Sequence, residues 1–129
     1  MLAVQIPLVQ YADFYKTLSK LTSCDKWKKL SQFQNFHILD PNQTYDILSM
    51  AFKNITMWET VYYHVLPSHD AVIDWYKGSG LRPYLEMLNE TEKTEFLKEL
   101  SKMLKTVFPI QKDSSVILKM PRLFFIAEK

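Results

Sequence analysis

The sequence predicts an α/β fold of about three strands and five to six helices. Three segments are rich in aliphatic, β-branched and aromatic residues: 2–6, 55–66 and 116–128. Between them lie runs whose apolar residues recur at helical spacing. No segment repeats another, and 129 residues suit a single domain over 1–129.

"LAVQI" (2–6) is a short apolar run stopped by Pro7, which reads as a buried strand. Leu8, Tyr11, Phe14, Tyr15, Leu18 and Leu21 then mark a helix over 8–21. "CDKWKKLSQF" continues as a second short helix with Trp27 and Leu30 inward. "ILDPNQ" (38–43) reads as a turn, and Thr44 as the cap of a helix running to Phe52, with Ile47, Leu48 and Ala51 inward.

"ITMWETVYYHVL" (55–66) contains no helix signal and reads as a long strand ended by Pro67. Ser68 is an N-cap, with Asp70 suited to the first-turn dipole. The helix it starts buries Val72, Trp75 and Tyr76 and ends at Lys77. The chain's two glycines follow, in "GSGLRPYL" (78–85). Gly78 occupies the position where a left-handed residue commonly ends a helix, and Gly80 permits a tight reversal. The pair is either turn punctuation alone or a corner that presents Arg82 to a cleft.

Asn89 and Glu92 form a capping box. The helix behind it carries Phe96, Leu97, Leu100, Met103, Leu104, Val107 and Phe108 on one stripe, with Glu95–Lys98 and Glu99–Lys102 outward. Pro109 ends it and "QKDSS" is a loop. "VILKMPRLFFIAE" (116–128) is a last strand, expected to break or bulge at Pro121.

Composition excludes several functions. Apolar residues make up 47% of the chain and aromatics 14%, enough for a packed core. The formal net charge of +2 comes from cations dispersed among acids, so nucleic acid is not an expected partner. No apolar run approaches the roughly 20 residues of a membrane span. "MLAVQIPLVQ" lacks the basic start of a signal peptide. Cys24 is alone, which excludes a disulfide framework and points to the cytoplasm. With two glycines, and neither after a strand, the chain offers no Gly-rich loop to approach a nucleotide phosphate or ribose.

No metal site is expected, because His37, His64 and His69 lack zinc-helix spacing. No serine has a nucleophile-elbow setting, and Cys24 has no partner pattern, so no catalytic group is named. In "YYH" (62–64) a strand places Tyr62 and His64 on one face and Tyr63 on the other. These tips either find partners inside a two-sided sheet or form a pocket wall. Arg82 and Arg122 are the only arginines, and each adjoins a proline. A guanidinium holds a carboxylate with two parallel bonds, which lysine cannot imitate. Each arginine therefore serves either a structural ion pair or an acidic small molecule.

The stretch from "MWETVYYHVLPSHDAVIDWYKGSGLRPYL" through "NETEKTEFLKEL", followed by "VILKMPRLFFIAEK", resembles the C-terminal part of the trans-aconitate 2-methyltransferase family. "LAVQIP" and "YDILSMAF" fit as well, and residues 14–43 least. The resemblance implies part of a Rossmann-like methyltransferase fold dependent on S-adenosyl-L-methionine. Residues 2–6 would be its fifth strand, a parallel-type edge strand. Residues 55–66 would be the sixth, and 116–128 the antiparallel seventh inserted between them. The helices between would include the substrate cap.

The family's Gly-rich first loop and the acid after its second strand have no counterpart in this sequence. The cofactor-binding half is thus expected to be absent, and the chain alone to bind no S-adenosyl-L-methionine and to be inactive. The resemblance makes Tyr62, Tyr63, His64, His69, Arg82, Arg122 and Gln5 candidates for binding a small polycarboxylic acid such as trans-aconitate. Two partners are implied, a cofactor-binding chain and a second copy joined through the open edge of strand 2–6. The competing reading is a non-enzymatic module that binds small acids or complements another subunit.

Overall fold

A computed structural model describes residues 1–34 and 38–129. Strands β1 (Leu2–Pro7), β2 (Asn54–Leu66) and β3 (Val116–Glu128) form one sheet in the order β1-β3-β2. Helices α1 (Asp13–Thr22), α2 (Pro41–Ser49), α3 (His69–Lys77), α4 (Arg82–Glu86) and α5 (Glu90–Val107) surround it, with 3-10 segments at Val9–Tyr11 and Asp25–Gln34. The architecture is α/β, and the last strand lies between the first two, as the resemblance implied.

Strand 2–6 is an edge strand, as expected, but no parallel partner for it lies among the described residues. Among the described residues, β1 pairs only with β3, antiparallel, from Leu2 opposite Ala127 to Pro7 opposite Arg122. β2 is likewise antiparallel to β3, from Asn54 opposite Glu128 to Leu66 opposite Val116. β1 and β2 therefore run in the same direction with β3 between them.

Pro121 neither breaks nor bulges β3, which keeps one register throughout, with Val61 opposite Pro121. A strand residue turns its N–H and C=O to the same side. The Pro121 carbonyl accepts from Leu8 N–H at 3.0 Å, on the side where β1 has just ended. The missing N–H therefore costs no bond to β2.

The sheet is covered on opposite faces at opposite ends. Val116 and Leu118 join the main core with Phe14, Leu18, Val72 and Phe96, and Leu66 and Met120 pack against it. Phe125 and Ala127, on the other face, pack with Leu48 of α2, supported by Val4, Ile6, Phe52 and Met57. The burial pattern along β3 changes parity near residue 120 for this reason: even positions are buried before it and odd positions after it. Each face is left uncovered along part of its length.

Several local expectations need correction. α2 begins at Pro41, with Asp40 as its cap, and Thr44 lies inside it. Asp40 Oδ1 accepts from Gln43 N–H at 2.8 Å, and Gln43 returns its side-chain oxygen to Asp40 N–H at 3.1 Å. "DPNQ" is thus a capping box with proline at the first helical position. The inward residues are Thr44 and Leu48, while Ile47 and Ala51 are exposed. In α3 the buried stripe is His69, Val72, Ile73 and Tyr76, and Trp75 lies 44% exposed at its flank. Val107 of α5 is also exposed.

Gly78 is right-handed, at φ −82°, where a left-handed residue was expected. Ser79 N–H and Leu81 N–H both bond to the Tyr76 carbonyl, at 3.1 and 2.9 Å, and so close the corner without a positive φ. Gly80 is needed for space: a methyl group there would overlap the Tyr15 phenol.

The 25–34 segment is held to α5 by acids read as outward. The Trp27 indole N–H donates to Glu99, Lys26 bridges Glu95 and Glu99, and Lys29 reaches Glu92 at 2.7 Å. The Lys29 ammonium, aided by the Asn89 N–H, holds the Glu92 carboxyl below the usual carboxylate range.

Candidate functional site

Register and alternation define one uncovered face. Side chains opposite one another across the strands share a face. Phe124 stands opposite Gln5 and Trp58, and Arg122 opposite Pro7 and Thr60. Tyr62 and His64 lie two and four residues beyond Thr60 on β2 and point the same way. Toward Leu66 and Leu118 this face is roofed by the helical core. Toward Gln5, Trp58 and Phe124 it is bare, and Arg122 stands at the border.

The aromatic side chains on this face are ordered against one another. Trp58 stacks on Phe124 with centroids 5.5 Å apart and planes 10° apart. Tyr62 stacks beside His64 at 6.3 Å, and Trp75 of α3 tilts over His64 at 5.0 Å. Tyr62 is 41% exposed and His64 is half-buried.

The electrostatics of the face are one-sided. β1 contributes Ala3, Gln5 and Pro7; β2 contributes Asn54, Thr56, Trp58, Thr60, Tyr62, His64 and Leu66; β3 contributes apolar residues, Arg122 and, at its far end opposite Asn54, Glu128. No aspartate or lysine is among them, and Glu128 stands at the end of β3, six positions along the strand from Arg122. Arg122 is half-buried and has no ion pair among the described residues. A guanidinium on a partly desolvated surface, without an acid neighbour, is a ready site for a carboxylate.

Gln5, Tyr62, His64 and Arg122 thus come together on one surface. The other three candidates are elsewhere. Tyr63 points to the opposite face and is 63% exposed. His69 is buried, and its Nε2–H donates to the Phe108 carbonyl at 2.7 Å, tying α3 to the end of α5. Arg82 stands in solvent and donates from Nε to Glu86 at 3.0 Å along α4. The GSG corner does not turn it toward the bare face. His37 lies outside the described residues.

Trp58, Phe124 and Trp75 were not anticipated in this site. The alternation of β2 pointed to Trp58, but Phe124 and Trp75 depend on register and helix docking, which the sequence does not display.

Other hollows are less suited to a ligand. A wide furrow between α3 and α5 is lined by Lys77, Lys102 and Lys105 but also by Asp70, Asp74 and Glu95, so its charges largely cancel. An apolar hollow of about 330 Å³ lies over Ile6, Leu48 and Phe125 on the opposite face and offers little polar recognition. Among the described residues no group of three or more His, Cys, Asp or Glu could hold a metal ion. No helix of the described residues is long and apolar enough to cross a membrane.

Comparison with known proteins gives this surface a context. Trans-aconitate 2-methyltransferase of Escherichia coli K12 DH10B is 46% identical over 85 residues, 66% of this chain and 34% of that protein. This chain resembles part of trans-aconitate 2-methyltransferase. The proteins of that name from Escherichia coli O157:H7 and from strain E24377A match with the same identity and coverage. The chain spans about a third of the length of these curated relatives, in keeping with a C-terminal portion. No family model matches the chain.

Proposed function

We propose that this chain is the substrate-side portion of a carboxyl methyltransferase dependent on S-adenosyl-L-methionine, and that it binds a small polycarboxylic acid such as trans-aconitate. The observation that carries the reading is Arg122, the one cation on the strand face, without an ion pair among the described residues and bordered by aromatic and hydrogen-bonding residues. The similarity to a protein named for methylating a tricarboxylic acid supports the same chemistry.

Arg122 would take one carboxylate through two N–H donors. Gln5, Tyr62 and His64 would bond other oxygens of the acid, and Trp58 with Phe124 would form the floor beneath its carbon skeleton. Methylation of a carboxylate needs alignment and charge placement more than proton transfer, because the carboxylate is already nucleophilic at neutral pH. That is why recognition residues, and no acid–base dyad, are the signal to expect.

The residues of this chain do not fit the methyl donor itself. Neither glycine follows a strand: both follow α3, and Gly80 is spent on the approach of Tyr15. β1 ends at Pro7 and runs straight into Leu8, where a nucleotide-binding loop would need open backbone. On this reading the donor site belongs to residues outside this sequence, and the 129 residues alone are inactive. We place the chain in the cytoplasm, where the exposed Cys24 stays a thiol.

A second reading is favoured by the outer side of β1, which ends the sheet and faces no strand among the described residues. Such an edge accepts another strand. We propose that a second copy or a cofactor-binding partner chain supplies it, which makes the chain a complementing subunit.

Calorimetric titration tests both readings. Trans-aconitate is expected to bind saturably at millimolar or lower concentration, and S-adenosyl-L-methionine to give no saturable heat. Cofactor binding would contradict the assignment of the donor site elsewhere, and absence of acid binding would contradict the substrate-side reading. Light scattering on the same samples should show association, and a monomer at high concentration would rule out pairing of two copies through β1.

A further inference from the structure

The outer edge of β2 carries a row of unused backbone groups. Leu8 N–H donates to the Pro121 carbonyl, so the odd residues of β3 turn their N–H and C=O toward β1 and the even ones toward β2. The register sets even residues of β2 opposite even residues of β3. Ile55, Met57, Glu59, Val61, Tyr63 and Val65 therefore turn theirs outward, where β2 ends the sheet and no backbone partner stands among the described residues.

Sheet edges are usually protected by shortness, lysine, proline or a bulge. β1 is 6 residues long and ends on a proline. β2 has none of these defences: it runs 13 residues without lysine or proline, in one unbroken register, and no residue of it is buried. Tyr63 and Val65 are 63% and 64% exposed, and Glu59 is the strand's only acid.

We propose that a second copy of this chain docks on the outer edge of β2, as an antiparallel pair of β2 strands with Thr60 on the two-fold axis. The strand itself favours this register. Asn54 falls opposite Leu66, so the two strands overlap along their whole length. Ile55 meets Val65 and Met57 meets Tyr63 as hydrogen-bonded pairs, and no outward group from 55 to 65 is left over. Glu59 meets Val61, whereas a centre one residue earlier would set two Glu59 carboxylates opposite each other. The cover of the sheet fits as well. The helical core roofs one face at the Leu66 end, and α2 covers the other face at the Asn54 end. A two-fold axis perpendicular to the sheet places each cover beside the bare half of the other copy, so the covers do not collide. An isologous pair of this kind closes on itself and leaves the β1 edge to the cofactor-binding chain. On the bare face Trp58 comes opposite Tyr62 of the second copy, and Thr56 opposite its His64, over which Trp75 tilts. If the acid-binding reading holds, that surface thereby gains a wall from the second copy; the pairing itself does not rest on it.

The test uses the whole chain with the exposed Cys24 replaced by serine, and in that background Thr60→Cys, Glu59→Cys and Val61→Pro. Position 60 faces itself across the axis as a non-hydrogen-bonded pair, with Cα atoms about 4.5 Å apart and within disulfide reach. Thr60→Cys is therefore expected to cross-link into a dimer under oxidised glutathione. Glu59→Cys, whose counterpart lies on the diagonal at about 7–8 Å, is expected not to. Val61→Pro removes an outward N–H from each copy and no bond to β3. It should weaken dimerisation, measured by sedimentation, by roughly ten-fold or more while circular dichroism stays that of the folded chain. If Val61→Pro fails to fold, cross-linking at position 60 decides alone. A chain that sediments as a monomer at high concentration overturns the pairing. So does a dimer in which Thr60→Cys does not cross-link, or which folded Val61→Pro leaves unchanged, because association then uses another surface. If a monomer binds trans-aconitate, the pairing is overturned and the acid reading stands. If the Thr60→Cys dimer forms and binds no trans-aconitate, the pairing stands and the acid reading falls.

Discussion

Replacing Trp27 with alanine is expected to cost about 3–5 kcal/mol, the usual loss for a large aromatic deleted from a core. The indole is fully buried and meets Phe96 edge-on at 5.1 Å. Its N–H donates to Glu99, and the Lys26 ammonium lies 5.0 Å from its ring centroid. The 25–34 segment depends on this anchor more than an α-helix would, because 3-10 hydrogen bonds have poorer geometry and hold few turns unaided. Leu30 is its second fully buried residue, Phe33 tilts against Tyr84 at 5.5 Å, and its ion pairs with α5 are exposed and of small individual worth.

Against a total stability of about 5–15 kcal/mol, that loss would leave the domain marginal. Trp27→Phe should restore most of the apolar part and remain weaker by about 0.5–2 kcal/mol for the lost indole bond. Urea unfolding measures both. A loss below about 1 kcal/mol for Trp27→Ala would mean that the segment is not docked on α5 as described. Neither variant, while folded, should alter binding of acid, because Trp27 is remote from the bare face.

Arg122→Gln is expected to act in the opposite manner. Binding of trans-aconitate should weaken by roughly 30-fold or more, since a bidentate charge-assisted contact is replaced by a neutral one. Stability should change by no more than about 0.5 kcal/mol, because no ion pair among the described residues is broken. Arg122→Lys keeps the charge but not the fork, and should recover only part of the affinity. A structural arginine would give the reverse result, with stability lost and acid binding unchanged. Calorimetric titration and urea unfolding on the same three proteins separate the two.

Much of the architecture was legible because it is written in local chemistry. Ser68 and Asn89 cap α3 and α5 where their side chains said they would, at 3.1 Å to Ala71 N–H and 2.9 Å to Glu92 N–H. The stripe Phe96, Leu100 and Leu104 is the buried face of α5. Asp40 and Gln43 carried the same kind of signal. It went unread because "DPN" also spells a turn, and the two readings differ only in whether the residues after Pro41 continue as helix.

What was not legible depends on distance along the chain. Pro121 is harmless because β1 stops one residue short of it, a fact of register between segments more than a hundred residues apart. Gly80 is spent on Tyr15, 65 positions away, and no rule of turn chemistry names that partner. The candidate site divides in the same way. Alternation alone put Tyr62 and His64 on one face and Tyr63 on the other. Joining them to Gln5, Arg122 and Phe124 required the order β1-β3-β2.

The central claim is that the bare half of this sheet face receives the acid, and amide and side-chain NMR of the chain titrated with trans-aconitate tests it most directly. The account predicts that shifts saturate together and cluster at Gln5, Trp58, Tyr62, His64, Trp75, Arg122 and Phe124. Shifts confined to the Arg82–Glu86 corner or to the face carrying Tyr63 would contradict it.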